Sequence, residues 1–88
     1  MLHIINKLQA LTNCLPYILP GDAIVLIEDS VYAAVSKIEL NPKEYSIFAL
    51  KNDLVIRGIT DKILSDIKVI TYEEFVELTL RFYPSQTW

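Results

Sequence analysis

Four short apolar runs, separated by segments of helical periodicity, constrain this 88-residue chain more than any other feature. The runs are Leu2–Ile5, Ala23–Ile27, Tyr45–Leu50 and Ile67–Ile70. Most of their positions are apolar, instead of every second one, which is typical of parallel strands covered by helices on both faces. Right-handed crossovers would join such strands into one sheet. The sequence therefore predicts a small three-layer α/β fold with a four-stranded parallel sheet, in one domain over residues 1–88.

The segments between the runs are predicted to be helical. The clearest is the last, where Thr71 and Glu74 have the spacing of a capping box and Pro84 stops the helix. Shorter helices are predicted over Val31–Val35 and Asp53–Arg57. So small a sheet leaves two open edges and has too few helices to cover both faces, which favours association with a partner.

Pro16 decides where the first helix can begin, because proline is tolerated near a helix start and not in its interior. We expect Thr12 or Asn13 to cap the helix, or the helix to kink. Cys14 would then lie near a helix start, where a thiol has a lowered pKa and can carry sulfur as a persulfide. A lone cysteine among leucines is usually an ordinary small core residue, and the persulfide carrier stays open as the alternative.

Several enzyme classes are excluded by the residues that the chain lacks. Its two glycines, Gly21 and Gly58, cannot build a glycine-rich phosphate loop or a dinucleotide fingerprint. One cysteine and one histidine are too few soft ligands for zinc, so neither a metal nor a cofactor is expected. His3 lies inside the first run and is expected to be a hydrogen-bonded structural histidine, not part of a catalytic triad.

Charge, cysteine content and the length of the apolar runs indicate which partners and which cell compartment to expect. The net charge is −3 and the eight basic residues are scattered singly, so no basic patch for direct nucleic-acid binding can be seen. Cys14 has no partner for an internal disulfide, which indicates a reducing, cytoplasmic compartment. The longest fully apolar run, Ala23–Ile27, is far shorter than the ~20 residues of a membrane span.

Two aspartates are candidate ligand-binding residues. Asp29 and Asp53 each follow a predicted strand, at the carboxyl edge where open α/β sheets bind ligands. Each is also explained as the cap of the helix that follows it. These residues leave open a homodimeric α/β domain that binds a small ligand at this edge.

Four segments of the chain match a known family. They are Met1–His3, Gly21–Ala34, Asp53–Thr60 and the ending, which comprises Ile70–Thr79 and Pro84–Trp88. In these segments the chain resembles the TusB/DsrH family of small sulfur-relay subunits, related to the DsrEFH proteins. The tail Ser85-Gln86-Thr87-Trp88 is the most specific part, because no general structural requirement explains it. One departure is Asp29-Ser30, where the family usually has Asp-Gly, so the backbone there must avoid a glycine-only conformation.

The resemblance implies a fold and an activity. The fold would be a small flavodoxin-like (DsrEFH-like) α/β domain, and for its parallel sheet we predict the flavodoxin-like strand order 2-1-3-4. The chain would join TusC-like and TusD-like subunits in a heterohexamer with two copies of each. That complex would pass persulfide sulfur towards 2-thiolation of uridine at the tRNA wobble position, so the link to tRNA would be indirect.

The resemblance also assigns roles to single residues. The working cysteine of the family is on the TusD-like subunit, which implies that this chain is an accessory subunit and not an enzyme. DsrH-like members carry a cysteine seven residues before a glycine, as Cys14 precedes Gly21, so the alternative is a persulfide-carrying sulfurtransferase that uses Cys14 itself. Trp88, Tyr83 and Gln86 in the tail are the candidate interface residues. A homodimer of the isolated chain stays open.

Overall fold

Five parallel strands form the centre of the computed structural model, which describes residues 1–35, 40 and 43–88. The strands are β1 (Leu2–Ile5), β2 (Ala23–Leu26), β3 (Ser46–Leu50), β4 (Lys68–Ile70) and β5 (Ser85–Thr87). The helices are α1 (Leu8–Cys14), α2 (Lys51–Ile56) and α3 (Tyr72–Arg81), and 3-10 segments cover Leu15–Tyr17, Glu28–Val35 and Thr60–Lys62. The predicted α/β class with a parallel sheet is therefore confirmed.

The strand count and the strand order differ from the prediction. The order is β4-β3-β2-β1-β5, and not 2-1-3-4 in a four-stranded sheet. β3 pairs with β2, and the place beside β1 that the predicted order gave to β3 is taken by β5. Three residues of the tail form this strand because Leu2 N–H donates to Pro84 O and Trp88 N–H donates to Ile4 O, at 3.0 and 2.9 Å.

The two faces of the sheet are covered unequally. One face packs against α1, α2 and the segment Glu28–Val35, and it holds the larger core cluster. On the other face, a smaller cluster joins residues of the strands, such as Val25 and Phe48, to Leu78 of α3. Among the described residues, α3 is the one helix on that second face. A single ten-residue helix leaves part of its own apolar surface in contact with water.

α3 begins as the capping box predicts. The Thr71 hydroxyl accepts a hydrogen bond from Glu74 N–H at 3.3 Å, and Thr71 N–H donates to the Glu74 carboxylate at 3.0 Å. The helix ends at Arg81, two residues before the Tyr83–Pro84 bond. Both ends therefore follow from local sequence signals.

α1 begins earlier than expected. Its first residue is Leu8, so the expected cap at Thr12 or Asn13 is wrong. Pro16 instead occupies an early position of the separate 3-10 segment after α1, where its missing N–H costs no hydrogen bond. The chain changes from an α-helix to a 3-10 helix here and does not form a kinked α-helix. Cys14 therefore lies at the end of a helix, whereas the sequence predicted a position near a helix start.

No helix among the described residues is long and apolar enough to cross a membrane.

Candidate functional site

The two ends of the chain meet in one hydrogen-bonded network, which we call the terminal network. The Trp88 indole N–H donates to His3 Nδ1 at 3.1 Å, and His3 Nε2 lies 2.9 Å from Asp22 Oδ2. Asp22 also accepts from Leu19 N–H at 3.0 Å and from the Met1 ammonium group at 3.1 Å. Three parts of the fold thus converge on one carboxylate, which lies in the turn before β2.

The indole group determines which ring nitrogen of His3 is a hydrogen-bond acceptor in this network. An indole nitrogen can only donate, so Nδ1 of His3 must be the acceptor. The imidazole proton then sits on Nε2 and is donated to Asp22. His3 is buried and both of its ring nitrogens are paired, which confirms the predicted structural role.

Asp22 is the charged centre of the terminal network. Burial alone would raise its pKa, but the hydrogen bonds from His3, from the Leu19 N–H and from the Met1 ammonium outweigh burial and lower the pKa. The carboxylate is therefore ionised at neutral pH and balances the charge of Met1. Asp22 was not singled out by sequence analysis. The available signal was the buried His3, since a buried imidazole requires polar partners.

Cys14 lies in surroundings that suppress thiolate chemistry. Its side chain is fully buried in the larger core cluster. The pKa of the Cys14 thiol is raised to about 11, mainly by burial and to a smaller extent by the negative charge of Asp22. Cys14 is the last residue of α1, and a helix C-terminus also disfavours an anion. The structure therefore gives Cys14 the properties of a core residue.

We expect the thiol of Cys14 to react slowly in the folded chain. The rise in its pKa from 9.0 to about 11 lowers the thiolate fraction at pH 8 by about 100-fold, and burial restricts access further. Iodoacetamide labelling followed by mass spectrometry measures the rate, with the same chain in urea as the control. Equal rates in the folded and unfolded chain would contradict this assignment.

The two candidate aspartates at the carboxyl edge are occupied by contacts within the chain. Asp29 accepts from the guanidinium group of Arg57 at 2.8 Å. Asp53 lies in the first turn of α2 and accepts from Glu28 N–H at 2.8 Å, so it connects this loop to α2 and does not cap the helix. Among the described residues, no group of three potential ligand side chains could hold a metal ion.

Ser30 stands where the resemblance places glycine, and the backbone adapts as expected. The positive φ of this loop, 51°, is at Glu28 and not at Ser30. The buried Ser30 hydroxyl accepts from Ile27 N–H at 3.0 Å and donates to Ile5 O. The Ser30 hydroxyl therefore connects the end of β1 to the residue after β2.

The tail residues face two different environments. Trp88 folds onto its own chain, where its ring stacks on Tyr17 with 5.6 Å between centroids. It also lines a groove of about 320 Å³ beside α1, together with Lys7 and Asn13. Tyr83 is 83% exposed, and Gln86 is exposed on the edge strand opposite His3 in β1. An interface role for these residues stays a prediction.

Comparisons with known proteins agree with one another. The family model described as DsrH like protein matches residues 6–84. Protein TusB of Shigella flexneri is 35% identical over 95 aligned positions, with 100% of both chains covered. Protein TusB of Escherichia coli K12 is 37% identical, covering 98% of this chain and 97% of that protein. A protein of unknown function from Methanobacterium thermoautotrophicum has a similar structure, with a TM-score of 0.68, 14% identity and coverage of 99% and 96%, which shows the fold alone.

Proposed function

The chain belongs to the DsrH-like protein family, and on that premise we propose that it is an accessory subunit of a sulfur-relay complex. The complex would pass persulfide sulfur towards 2-thiolation of uridine at the tRNA wobble position. Full-length similarity to proteins named TusB supports this assignment. The environment of Cys14 supports the accessory role. A relay cysteine must expose a thiolate to its donor, whereas Cys14 is buried with a raised pKa.

Open apolar surface supports the need for partners, which we propose to be TusC-like and TusD-like subunits in the cytoplasm. Large apolar side chains are more than half exposed at several places among the described residues. They are Tyr17, Leu19, Val55, Ile56, Tyr72, Val76, Leu80 and Tyr83. Such surface is typical of a subunit that other chains cover. The proposed complex is a heterohexamer with two copies of each subunit.

The two competing functions find less support in the structure. A persulfide carrier that uses Cys14 would need the core cluster to open before sulfur could reach the thiol. A small-ligand site at the carboxyl edge would need Asp29 and Asp53 to give up Arg57 and the Glu28 N–H.

We expect Cys14→Ala to leave tRNA thiolation close to the wild-type level. The test expresses the variant in a strain that lacks this gene and quantifies 2-thiouridine in tRNA by mass spectrometry. Cys14→Ser is the second variant, because it removes the thiol with less change of volume. An assembled complex that lacks thiolation with both variants would make Cys14 the sulfur carrier.

Co-purification tests the partner assignment separately. An affinity-tagged full-length chain is expected to recover two small relatives, one TusC-like and one TusD-like, in equal amounts. Recovery of the tagged chain alone, from cells that contain both relatives, would contradict the heterohexamer. A chain that assembles without any effect on 2-thiouridine would retain the complex and refute its proposed role.

A further inference from the structure

The strand order of the sheet reverses between β1 and β5. From β1 the chain adds β2, β3 and β4 on one side, and its last strand then pairs on the other side of β1. The connections also change face here, since α1 covers one face of the sheet and α3, which leads to β5, covers the other. In open α/β sheets, ligands bind at such a switch point, in a crevice at the carboxyl ends of the strands. Asp29 and Asp53 follow β2 and β3 and therefore lie outside this switch point.

A groove of about 320 Å³ lies at the carboxyl ends of these two strands. Lys7 lies just after β1 and Trp88 directly after β5, and both line the groove. Gln9, Ala10 and Asn13 of α1 also line it. We call it the switch-point groove. Its position is the one that the strand order alone predicts for a ligand.

The lining of the switch-point groove combines one cation, two amides and one aromatic ring. No described carboxylate lines it, and Lys7 has no ion pair within the described part of the chain, although the net charge of the chain is −3. Gln9 Nε2 donates to Asn13 Oδ1 at 3.3 Å, which leaves the Asn13 NH2 group and the Gln9 oxygen for a ligand. Tyr17 stacks on the Trp88 ring and holds it in place. The groove therefore offers a positive charge, amide groups and a fixed ring to one ligand.

Asn6, which connects β1 to Lys7, has a polar group that the described part of the chain does not satisfy. Its side-chain oxygen is buried and has no hydrogen-bond partner there. Folded domains rarely leave a buried acceptor in this state. The carboxyl end of β1 is thus less completely satisfied than a purely structural strand end.

We propose that the switch-point groove binds a free mononucleotide, with its base stacked on Trp88 and its phosphate paired with Lys7. An indole ring is a stacking surface for any base, and an ammonium group is a common phosphate partner. The amides of Gln9 and Asn13 can donate to and accept from a base edge. A nucleic-acid strand is disfavoured, because a single lysine neutralises a single phosphate. The proposal goes beyond the sulfur-relay function and does not depend on it.

Titration of the full-length, isotope-labelled chain with adenosine monophosphate (AMP), followed by NMR, tests the site. Trp88 is the only tryptophan, so its indole N–H gives a single assigned signal. One stacked ring and one charge pair give a dissociation constant on the order of 1 mM, so the titration runs to about 10 mM. The indole signal and the backbone amide signals of Gln9, Ala10 and Asn13 are expected to shift and to saturate together. No saturable shift by that concentration would overturn the proposal.

Variants of exposed residues test the role of each group without disturbing the fold. Lys7→Ala should weaken AMP binding at least about threefold and leave adenosine binding unchanged, because only the phosphate loses a partner. Asn13→Asp places a carboxylate in the groove at nearly the same shape, and it should also weaken AMP binding. Lys62→Ala is the matched control, since Lys62 is an exposed lysine in the segment Thr60–Lys62, away from the groove. It should bind AMP like the wild type.

The two halves of the ligand complete the test. Adenosine alone and inorganic phosphate alone should each bind more weakly than AMP. Phosphate that binds as tightly as AMP would refute the stacking on Trp88, and adenosine that binds as tightly would refute the contact with Lys7. An equal loss of AMP binding in Lys62→Ala and Lys7→Ala would overturn the site, because the attraction would then depend only on the overall charge.

Discussion

Asp22→Ala is expected to lower the free energy of unfolding at pH 7 by about 3 kcal/mol, because one carboxylate serves three donors. The change leaves His3 Nε2–H and Leu19 N–H without their acceptor beneath the surface. It also leaves the Met1 ammonium group without its ion pair. Urea unfolding followed by circular dichroism measures the loss, provided that the slope of the transition is unchanged.

Two further variants test the contribution of Asp22, one at Asp22 itself and one at a surface carboxylate. Asp22→Asn keeps one acceptor oxygen and should cost less than Asp22→Ala, since one of the donor contacts can persist. Asp29→Ala is the surface control. The Asp29 side chain is 73% exposed in its ion pair with Arg57, so its loss should cost under about 1 kcal/mol. If Asp22→Ala cost no more than Asp29→Ala, the terminal network would be irrelevant to stability.

The lowered pKa of Asp22 also sets the sign of a pH dependence. A carboxylate whose pKa is lower in the folded chain than in the unfolded chain stabilises the fold above its ordinary value of 3.8. That contribution is lost as the pH falls below 3.8 and passes through the lower pKa of the folded state. The wild type should therefore lose stability more steeply below about pH 4 than Asp22→Asn, which cannot take up this proton.

The strands that the sequence predicted are those with a local apolar signal. β2 and β3 are buried on both faces, and their runs are apolar for the same reason. β5 could not be found in this way, because Ser85, Gln86 and Thr87 are polar and exposed. These three residues become a strand by pairing with β1 at the other end of the chain. The predicted order failed because no local pattern records which strands become neighbours.

In the candidate site, too, the features with a local sequence signal could be predicted and those that depend on long-range contacts could not. The capping box of α3 involves Thr71 and Glu74, three positions apart, and could be predicted. The environment of Cys14 depended on where α1 begins, and Pro16 proved compatible with an earlier start. The terminal network joins His3 to Trp88 across 85 positions of sequence. The resemblance drew attention to the tail, but only the fold gives a physical reason for its tryptophan.

Of the changes considered, removal of Ser85–Trp88 is expected to lower the free energy of unfolding the most. It deletes β5, exposes the hydrogen-bonding edge of β1, and takes the indole from both Tyr17 and His3. Truncation of a large buried aromatic alone costs about 3–5 kcal/mol, and Trp88 is partly buried, so the lower end applies. The loss of the β5 pairing adds to this cost, so the total exceeds about 3 kcal/mol; for a domain of this size, that amount alone lowers the melting temperature by about 12–24 °C.

Point variants keep the test decisive if the truncated chain does not fold. Trp88→Phe retains a ring against Tyr17 but removes the N–H that His3 accepts, so it should be less stable than the wild type and more stable than Trp88→Ala. Gln86→Ala is the control on the same strand, because its side chain is exposed and its backbone pairing persists. A truncated chain that melts with the full-length protein would show that the tail is passive.

The tail variants also separate a role in folding from a role in assembly. Trp88 packs within the chain, so Trp88→Phe should lower the melting temperature of the isolated chain. Assembly with partner subunits should weaken only to the extent that the folded population falls.

Tyr83 is 83% exposed and contributes little to the fold, so Tyr83→Ala should leave the melting temperature unchanged. If the exposed ring is an interface anchor, Tyr83→Ala should reduce co-purification of the partner subunits at least tenfold. Intact assembly of Tyr83→Ala would remove Tyr83 from the interface and leave the tail with the structural role of Trp88.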